Sequence, residues 1–265
     1  MKIAYFTDTY LNHNNGIASS LYSVHCADKD WEDQVFCPID FPEVERVSGI
    51  PFLFFPEYKL ALNRGWLKRY AEEFDIIHNH TPYGMFYYGA KAARGLSKPL
   101  VGTFHTDPAA VFGAMMPVEC PPGKIMNKLT WKYLIKLYDR CDVVIAVSPW
   151  LKEFLEEKGM KKPIVTIPNG IDTSLFRPDA DKGEFRKVFK IPRGRPIVLF
   201  MGRLQHKKDP KTFLRAAIKS KSDAVFVIAG KGELETDLRK MARGKENIIF
   251  AGFLPERLVC KAYSA

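Results

Sequence analysis

Residues 198–208 read VLFMGRLQHKK, from Val198 to Lys208. An apolar run of the kind that forms a buried parallel strand ends at Gly202, and Arg203 and Lys208 follow it. A strand that stops at glycine lets the next helix start close to a ligand, where unpaired amide groups already favour an anion. Two permanent cations at that opening would suit a diphosphate. Two solvated bases on a lysine-rich chain fit the segment equally well, so the surrounding sequence has to separate the readings.

Outward from this segment, short apolar runs alternate with amphipathic stretches in both directions. Toward the amino terminus, strands are expected at Lys2 to Thr7, Gln34 to Cys37, Phe52 to Phe55, Asp75 to Asn79, Leu100 to Phe104, Val143 to Val147 and Ile164 to Ile167. Helices are expected at Ile17 to Ala27, Trp66 to Glu73, Met85 to Arg94, Lys124 to Tyr138 and Pro149 to Lys158. Strand–helix alternation of this kind gives right-handed crossovers and a doubly wound parallel sheet. Residues 1–167 therefore read as one α/β domain. The text PNGIDTSLFRPDAD, from Pro168, is turn-rich and places a linker at 168–182. Residues 183–265 read as a partial second α/β domain, with strands at Pro196 to Gly202, Ala224 to Ala229 and Asn247 to Ala251 and helices at Pro210 to Ser220, Leu234 to Arg243 and Pro255 to Ser264.

Composition narrows the class. The 265 residues carry 40 Lys and Arg against 30 Asp and Glu, a net charge of +10. That excess favours phosphorylated ligands or an anionic lipid surface, and it is equally the solvated surface of a lysine-rich chain. Nucleic acid is not expected, because the bases are spread out and not interleaved with aromatics along one element. Cys26, Cys37, Cys120, Cys141 and Cys260 are scattered and odd in number, which indicates neither a zinc cage nor a disulfide framework and fits a reducing cytoplasm. The opening MKIAYF reads as a strand with no signal-peptide pattern, and no apolar run is long enough to cross a bilayer.

Ligands of open α/β sheets sit at the carboxyl ends of the strands. There the first strand ends in Thr7 and Asp8, and the loop YLNHNNG leads to Gly16 and a helix. This is not G-x-G-x-x-G, so a dehydrogenase is disfavoured, and Asn15-Gly16 alone reads as a turn. His78 and His80, in DIIHNH, fall on one face of a strand. Zinc would need further ligands that no nearby cluster supplies, so they read as hydrogen-bonded strand-end histidines. His105, in VGTFHTD, closes another strand as a candidate contact to a ligand hydroxyl or as a capping residue. Asp107 and Asp172 read as turn or cap residues, leaving no carboxylate pair for acid–base work. No G-x-S-x-G, P-loop or H-E-x-x-H is present, which argues against ordinary hydrolases, nucleotide kinases and zinc proteases.

Taken in order, FTDTYLNHNNGIASS, DIIHNHTPYG, VGTFHTD, CDVVIAVSPWLKEFL, VTIPNGIDTSLFRP, FMGRLQHKKD, VIAGKGELETDL and IIFAGFLPE resemble the retaining GT-B glycosyltransferases of the group 1 family. These have two Rossmann-like domains facing across a cleft. The beginning is similar to members that transfer sugars to lipids such as diacylglycerol. The resemblance implies a nucleotide-sugar donor, a sugar, lipid or glycolipid acceptor bound by the first domain, and no metal. Gly16 would lie near the diphosphate and acceptor, and His105 would touch the transferred sugar. Arg203 and Lys208 would hold the diphosphate, while Gly230 and the backbone around Leu254 would border the nucleotide base. With no acid–base pair, the departing phosphate oxygen would take the acceptor's proton, so retention would need no protein nucleophile.

One feature of the family is missing: two glutamates eight positions apart that contact the donor sugar, a pair that occurs nowhere in this sequence. The resemblance therefore implies either a fragment of a longer enzyme or a catalytically silent binding protein on the same scaffold. In either case the unfinished second sheet would favour self-association. The segment PPGKIMNKLTWKYLIKLY, Pro121 to Tyr138, mixes lysine with large apolar residues. It suits a peripheral helix at the inner membrane face, and also a core helix with a wet basic edge.

Overall fold

The computed structural model describes residues 1–10, 16–27, 30–42, 44–52, 55–62, 71–105, 121–181 and 183–265. The chain divides into two units, Met1–Gly170 and Ile171–Ala265, and the division falls within the expected linker. Asp107, most of the YLNHNNG loop and most of the expected helix Trp66 to Glu73 lie outside the described residues.

In the first unit, strands β1 (Lys2–Phe6), β2 (Glu32–Cys37), β3 (Val44–Arg46), β6 (Ile76–Asn79), β7 (Leu100–Phe104), β8 (Val143–Ala146) and β9 (Ile164–Thr166) form one sheet in the order β3-β2-β1-β6-β7-β8-β9. Every pairing in it is parallel. The chain starts at the centre, runs outward to β3, then returns to the other side of β1. The switch point, where such sheets open a ligand crevice, therefore lies between β1 and β6.

Both faces of the sheet are buried, as continuous apolar strands require. Ile3 and Tyr5 of β1 point to the side covered by α1 (Gly16–His25), where they join Leu21 and Val35. Ala4 and Phe6 point to the opposite side. They enter the main core with Met85 and Phe86 of α2 (Gly84–Leu96), Trp131, Leu134 and Tyr138 of α3 (Pro121–Tyr138), and Leu151 of α4 (Pro149–Glu157). Each large apolar side chain buried in this way contributes about 1.5–3 kcal/mol. Ser148 starts α4 by accepting a hydrogen bond from the Leu151 amide at 3.2 Å, with Pro149 in the first turn.

The strand expected at Phe52 to Phe55 is corrected. The chain instead forms an antiparallel ribbon of β4 (Gly49–Phe52) and β5 (Phe55–Ala61), separate from the main sheet. Pro51 and Pro56 supply the reason, since a residue without an N–H cannot serve inside a parallel sheet. Strand β3 had no expectation, because Val44–Arg46 is too short to show a period.

The second unit holds a parallel sheet in the order β10 (Ile197–Met201), β11 (Val225–Ala229), β12 (Ile248–Gly252). Around it lie α5 (Glu184–Val188), α6 (Pro210–Lys219), α7 (Glu235–Met241) and α8 (Glu256–Ser264). Leu214, Leu238 and Ile228 pack on one face, and Phe185, Val227 and Leu258 on the other.

Candidate functional site

At the switch point of the first unit, the residues that follow β1 and β6 are tied together. Thr7, Asp8, Thr9, His80 and Thr81 are all buried. The Thr81 hydroxyl donates to Asp8 Oδ2 at 2.6 Å and accepts from the Asp8 amide at 2.8 Å. The Met85 amide, in the first turn of α2, donates to Asp8 Oδ1 at 3.0 Å. A carboxylate at a helix start is favoured by the amide dipoles, yet burial outweighs this and pushes the Asp8 carboxyl up to about 7. Asp8 thus fastens the start of α2 to the end of β1. In the sequence, Asp8 stands out only as a strand end.

Beside this clamp stand three histidines. Their placement confirms that His78 and His80 share a face, since the ring centroids are 4.3 Å apart. Tyr5 lies 5.4 Å from each ring. His78 Nε2 is 2.7 Å from the Thr103 hydroxyl, and His80 Nδ1 is 3.1 Å from His105 Nε2. Among the described residues, His80 Nε2 and His105 Nδ1 are buried without a hydrogen-bond partner. Burial lowers His78 to about 3 and His105 to about 4, and it holds His80 well below the ordinary imidazole range, so all three rings are neutral at pH 7. Two neutral imidazoles sharing one hydrogen bond leave one donor and one acceptor on their outer nitrogens, which suits a ligand hydroxyl. Gly16 opens α1 on the exposed side, and a Cβ there would meet nothing within 4 Å. Asp172 forms the expected turn, accepting from the Ser174 amide at 2.8 Å and the Ser174 hydroxyl at 2.6 Å.

In the second unit, the residues after the three strands meet at the carboxyl edge through main-chain hydrogen bonds. The Gly202 amide donates to Ala229 O at 3.0 Å, Leu204 to Lys231 O at 3.0 Å, and Gly230 to Gly252 O at 2.7 Å. Glycine is required at the crossing. Gly230 has φ +134°, and a Cβ on it would lie 1.9 Å from Gly202 O. A Cβ on Gly232 would lie 2.4 Å from Leu204 O. These contacts hold Leu204 in the interior and set Arg203 on the surface beside it.

A 3₁₀ turn, His206–Lys208, then carries Lys208, also exposed, and Asp209 caps α6 through the Thr212 amide at 3.3 Å. Arg203, Lys208, Gly230 and the loop at Leu254 all follow the carboxyl ends of strands in one sheet. The Leu254 side chain itself is buried in the core, so only its backbone and the exposed Phe253 face outward. Lys231, exposed between the two constrained glycines, is a third cation here, and no pattern in the sequence marks it. Among the described residues, no group of three or more His, Cys, Asp or Glu could hold a metal ion.

Comparison with known proteins agrees with this architecture. The model for Glycosyltransferase Family 4 matches residues 13–175, and that for Glycosyl transferases group 1 matches residues 181–265. The whole chain aligns at 26% identity with 64% of an alpha-monoglucosyldiacylglycerol synthase from Streptococcus pneumoniae. It aligns at 27% identity with 72% of a GDP-mannose-dependent alpha-mannosyltransferase from Mycolicibacterium smegmatis. A crystal structure of Anabaena Alr3699/HepE in complex with UDP superposes on 98% of the chain with a TM-score of 0.73 at 18% identity, covering 72% of that protein, and shares its GT-B-like α/β fold. The chain thus spans about two thirds of the length of these relatives. With the first family model alone covering more than half of its residues, the chain belongs to the Glycosyltransferase Family 4 and group 1 glycosyltransferases.

Proposed function

We propose that the protein is a glycosyltransferase that moves a sugar from a nucleotide-diphosphate-sugar to an acceptor hydroxyl with retention of anomeric configuration. One observation carries the reading. In a chain of this family, glycines Gly202, Gly230 and Gly252 knit the carboxyl edge of the second sheet and hold Arg203, Lys208 and Lys231 around exposed loops.

In this scheme the bond from the sugar's anomeric carbon to the diphosphate oxygen breaks, and a bond to the acceptor oxygen forms on the same face. The acceptor's proton passes to the departing phosphate oxygen. Arg203 and Lys208 offset the charge that grows on the diphosphate, so a metal is not needed for that role. Gly16 borders the diphosphate and acceptor, His105 binds a hydroxyl of the transferred sugar, and Gly230 and the Leu254 backbone border the base. The acceptor is a lipid or glycolipid at the inner membrane face. The relative named as an alpha-monoglucosyldiacylglycerol synthase supports that choice.

The test is titration with UDP, GDP and their hexose conjugates, followed by incubation with diacylglycerol or a glycosyldiacylglycerol and mass analysis of the lipid. Binding of one nucleoside diphosphate that is lost in Arg203→Ala, with a hexose added to the lipid, is the expected result. No binding of any nucleotide at millimolar concentration would overturn the reading.

A further inference from the structure

Trp150 is the second residue of α4, and at 66% it is the most exposed large apolar side chain among the described residues. Its ring is nevertheless fixed. Phe154, one turn on, stacks on it with ring centroids 5.0 Å apart and planes 13° from parallel. Phe154 packs against the main core and meets the buried Trp131 in a T-shaped contact at 5.3 Å and 83°. Lys158, a further turn on, closes the far end, its ammonium 4.9 Å from the Phe154 centroid and 5.5 Å from that of Trp131. One face of the Trp150 indole is therefore covered by Phe154, and the other is open to solvent.

The sheet sets the place of this ring. Strands β7 and β8 pair in parallel with Phe104 opposite Ala146, so His105 and Val147 continue adjacent strands about 4.8 Å apart at the carboxyl edge. Helix α4 begins two residues beyond Val147. Trp150 thus stands one strand away from the histidine pair whose outer nitrogens await a ligand hydroxyl. Glu153, three positions on and exposed, makes no ion pair among the described residues. The surroundings exclude two other occupants. Glu153, Glu156 and Glu157 outnumber Lys152 and Lys158, a balance that an anionic bilayer would repel. A single ring among charged side chains also falls far short of the roughly 800 Å² per partner of a stable protein interface.

A flat apolar ring beside a carboxylate matches the two chemical faces of a sugar. The C–H groups on one side of a pyranose carry partial positive charge and rest on the negative π-face of an indole. Its hydroxyls donate to the carboxylate at the rim. Resting on the transferase reading above, we propose that Trp150 and Glu153 seat a pyranose of the acceptor, so that the acceptor is a glycolipid and not a bare diacylglycerol. His105 then holds the sugar being transferred and Trp150 the sugar that receives it, on adjacent strand ends of one sheet.

The experiment is saturation-transfer NMR with methyl α-D-glucopyranoside and methyl α-D-galactopyranoside, which carry a sugar and no lipid chain, and with glycerol as the control. Saturation should reach the protons on one face of one of the sugars and should not reach glycerol. Trp150→Ala should weaken sugar binding on the order of tenfold, Trp150→Phe should recover part of the loss, and Glu153→Gln should cost less than Trp150→Ala. Thermal melting checks that these exposed changes leave the fold intact. In the transfer assay, Trp150→Ala should raise KM for a glycosyldiacylglycerol by a similar factor and leave KM for the donor unchanged. UDP and GDP binding is measured on the same samples, so a chain that binds a nucleotide but neither sugar loses this assignment and keeps the transferase reading. Equal saturation in Trp150→Ala and the parent, or transfer to diacylglycerol as fast as to its glycoside, would overturn the assignment. So would a Trp150→Ala variant that loses sedimentation with phosphatidylcholine vesicles while its sugar binding is unchanged, since Trp150 would then face lipid.

Discussion

Nδ1 of His80 faces Nε2 of His105 across 3.1 Å, so one proton shared between the two rings decides which outer nitrogen is a donor. If His80 donates, His105 Nδ1 carries the remaining hydrogen. If His105 donates, its Nδ1 is a bare acceptor. His80 is therefore a positioning residue for His105. His80→Asn is expected to release that constraint, which ¹⁵N spectra of the His105 ring would register as a mixture of tautomers in place of one. Sugar transfer should fall roughly two- to tenfold, the worth of one hydrogen bond, with KM for the donor little changed. An unaltered His105 spectrum in the variant would contradict the coupling.

The same edge makes stability depend on pH in two opposing ways. His78, His105 and His80 stay neutral in the folded chain down to about 3, about 4 and well below 6.5 respectively, because burial disfavours their charged forms. The unfolded chain protonates them near 6.5, so their contribution is complete above that pH and is lost as the pH falls toward 4. Asp8 acts in the other direction. Its folded pKa is raised from 3.8 to about 7, so its ionisation costs stability as the pH rises between those values. Each group changes the slope by about 1.4 kcal/mol per pH unit. Three histidines outweigh one aspartate, and urea unfolding should show net destabilisation from pH 6.5 down to roughly 5. Asp8→Asn should steepen that loss and His80→Asn should flatten it. A parent profile that is level across the range would refute both assignments.

Much of this was legible in the sequence, for identifiable reasons. Period-two spacing put His78 and His80 on one face, and the apolar runs marked the strands of both main sheets except β3, because strands buried on two faces are continuous in composition. What the sequence could not reveal was pairing across distance. Asp8 and Thr81 are 73 positions apart, and neither residue type signals the other. Pro51 and Pro56 did carry a readable warning against a parallel strand, but a stretch of aromatic residues masked it. Lys231 escaped because its importance comes from the glycines on either side, whose close approaches to Gly202 O and Leu204 O exist only in the folded chain.

Those glycines give a pair of contrasting substitutions. Gly230→Ala places a Cβ 1.9 Å from a carbonyl oxygen at φ +134°, so the three-loop edge cannot close. A loss of about 3 kcal/mol or more is expected, together with nucleotide binding. Gly16→Ala meets nothing within 4 Å and sits in the first turn of a helix. It should leave the melting temperature unchanged or slightly raised. Where Gly16 borders the diphosphate, the methyl group should raise KM for the donor without touching stability. Equal effects of the two alanines on melting would show that the edge of the second sheet is not sterically closed.

Arg203 and Lys208 differ in how they would hold a diphosphate, and that difference can be measured. Arg203 follows a strand whose end is pinned by the Gly202 and Leu204 amides, so its backbone is fixed close to the site. A guanidinium placed in this way can make two parallel hydrogen bonds to phosphate oxygens. Lys208 sits at the end of a short exposed turn and offers a mobile point charge. Arg203→Ala is expected to weaken nucleoside diphosphate binding by about 10- to 100-fold, from the loss of charge-assisted hydrogen bonds. Arg203→Lys should recover only part of that, because the fork geometry is gone. Lys208→Ala should cost less, and its effect should shrink as potassium chloride is raised and the exposed charge is screened. Both side chains are exposed, so circular dichroism should be unchanged in every variant. Calorimetric titration at two salt concentrations separates the roles, and equal salt dependence for the two alanine variants would mean that Arg203 acts as a diffuse charge, not as a fork.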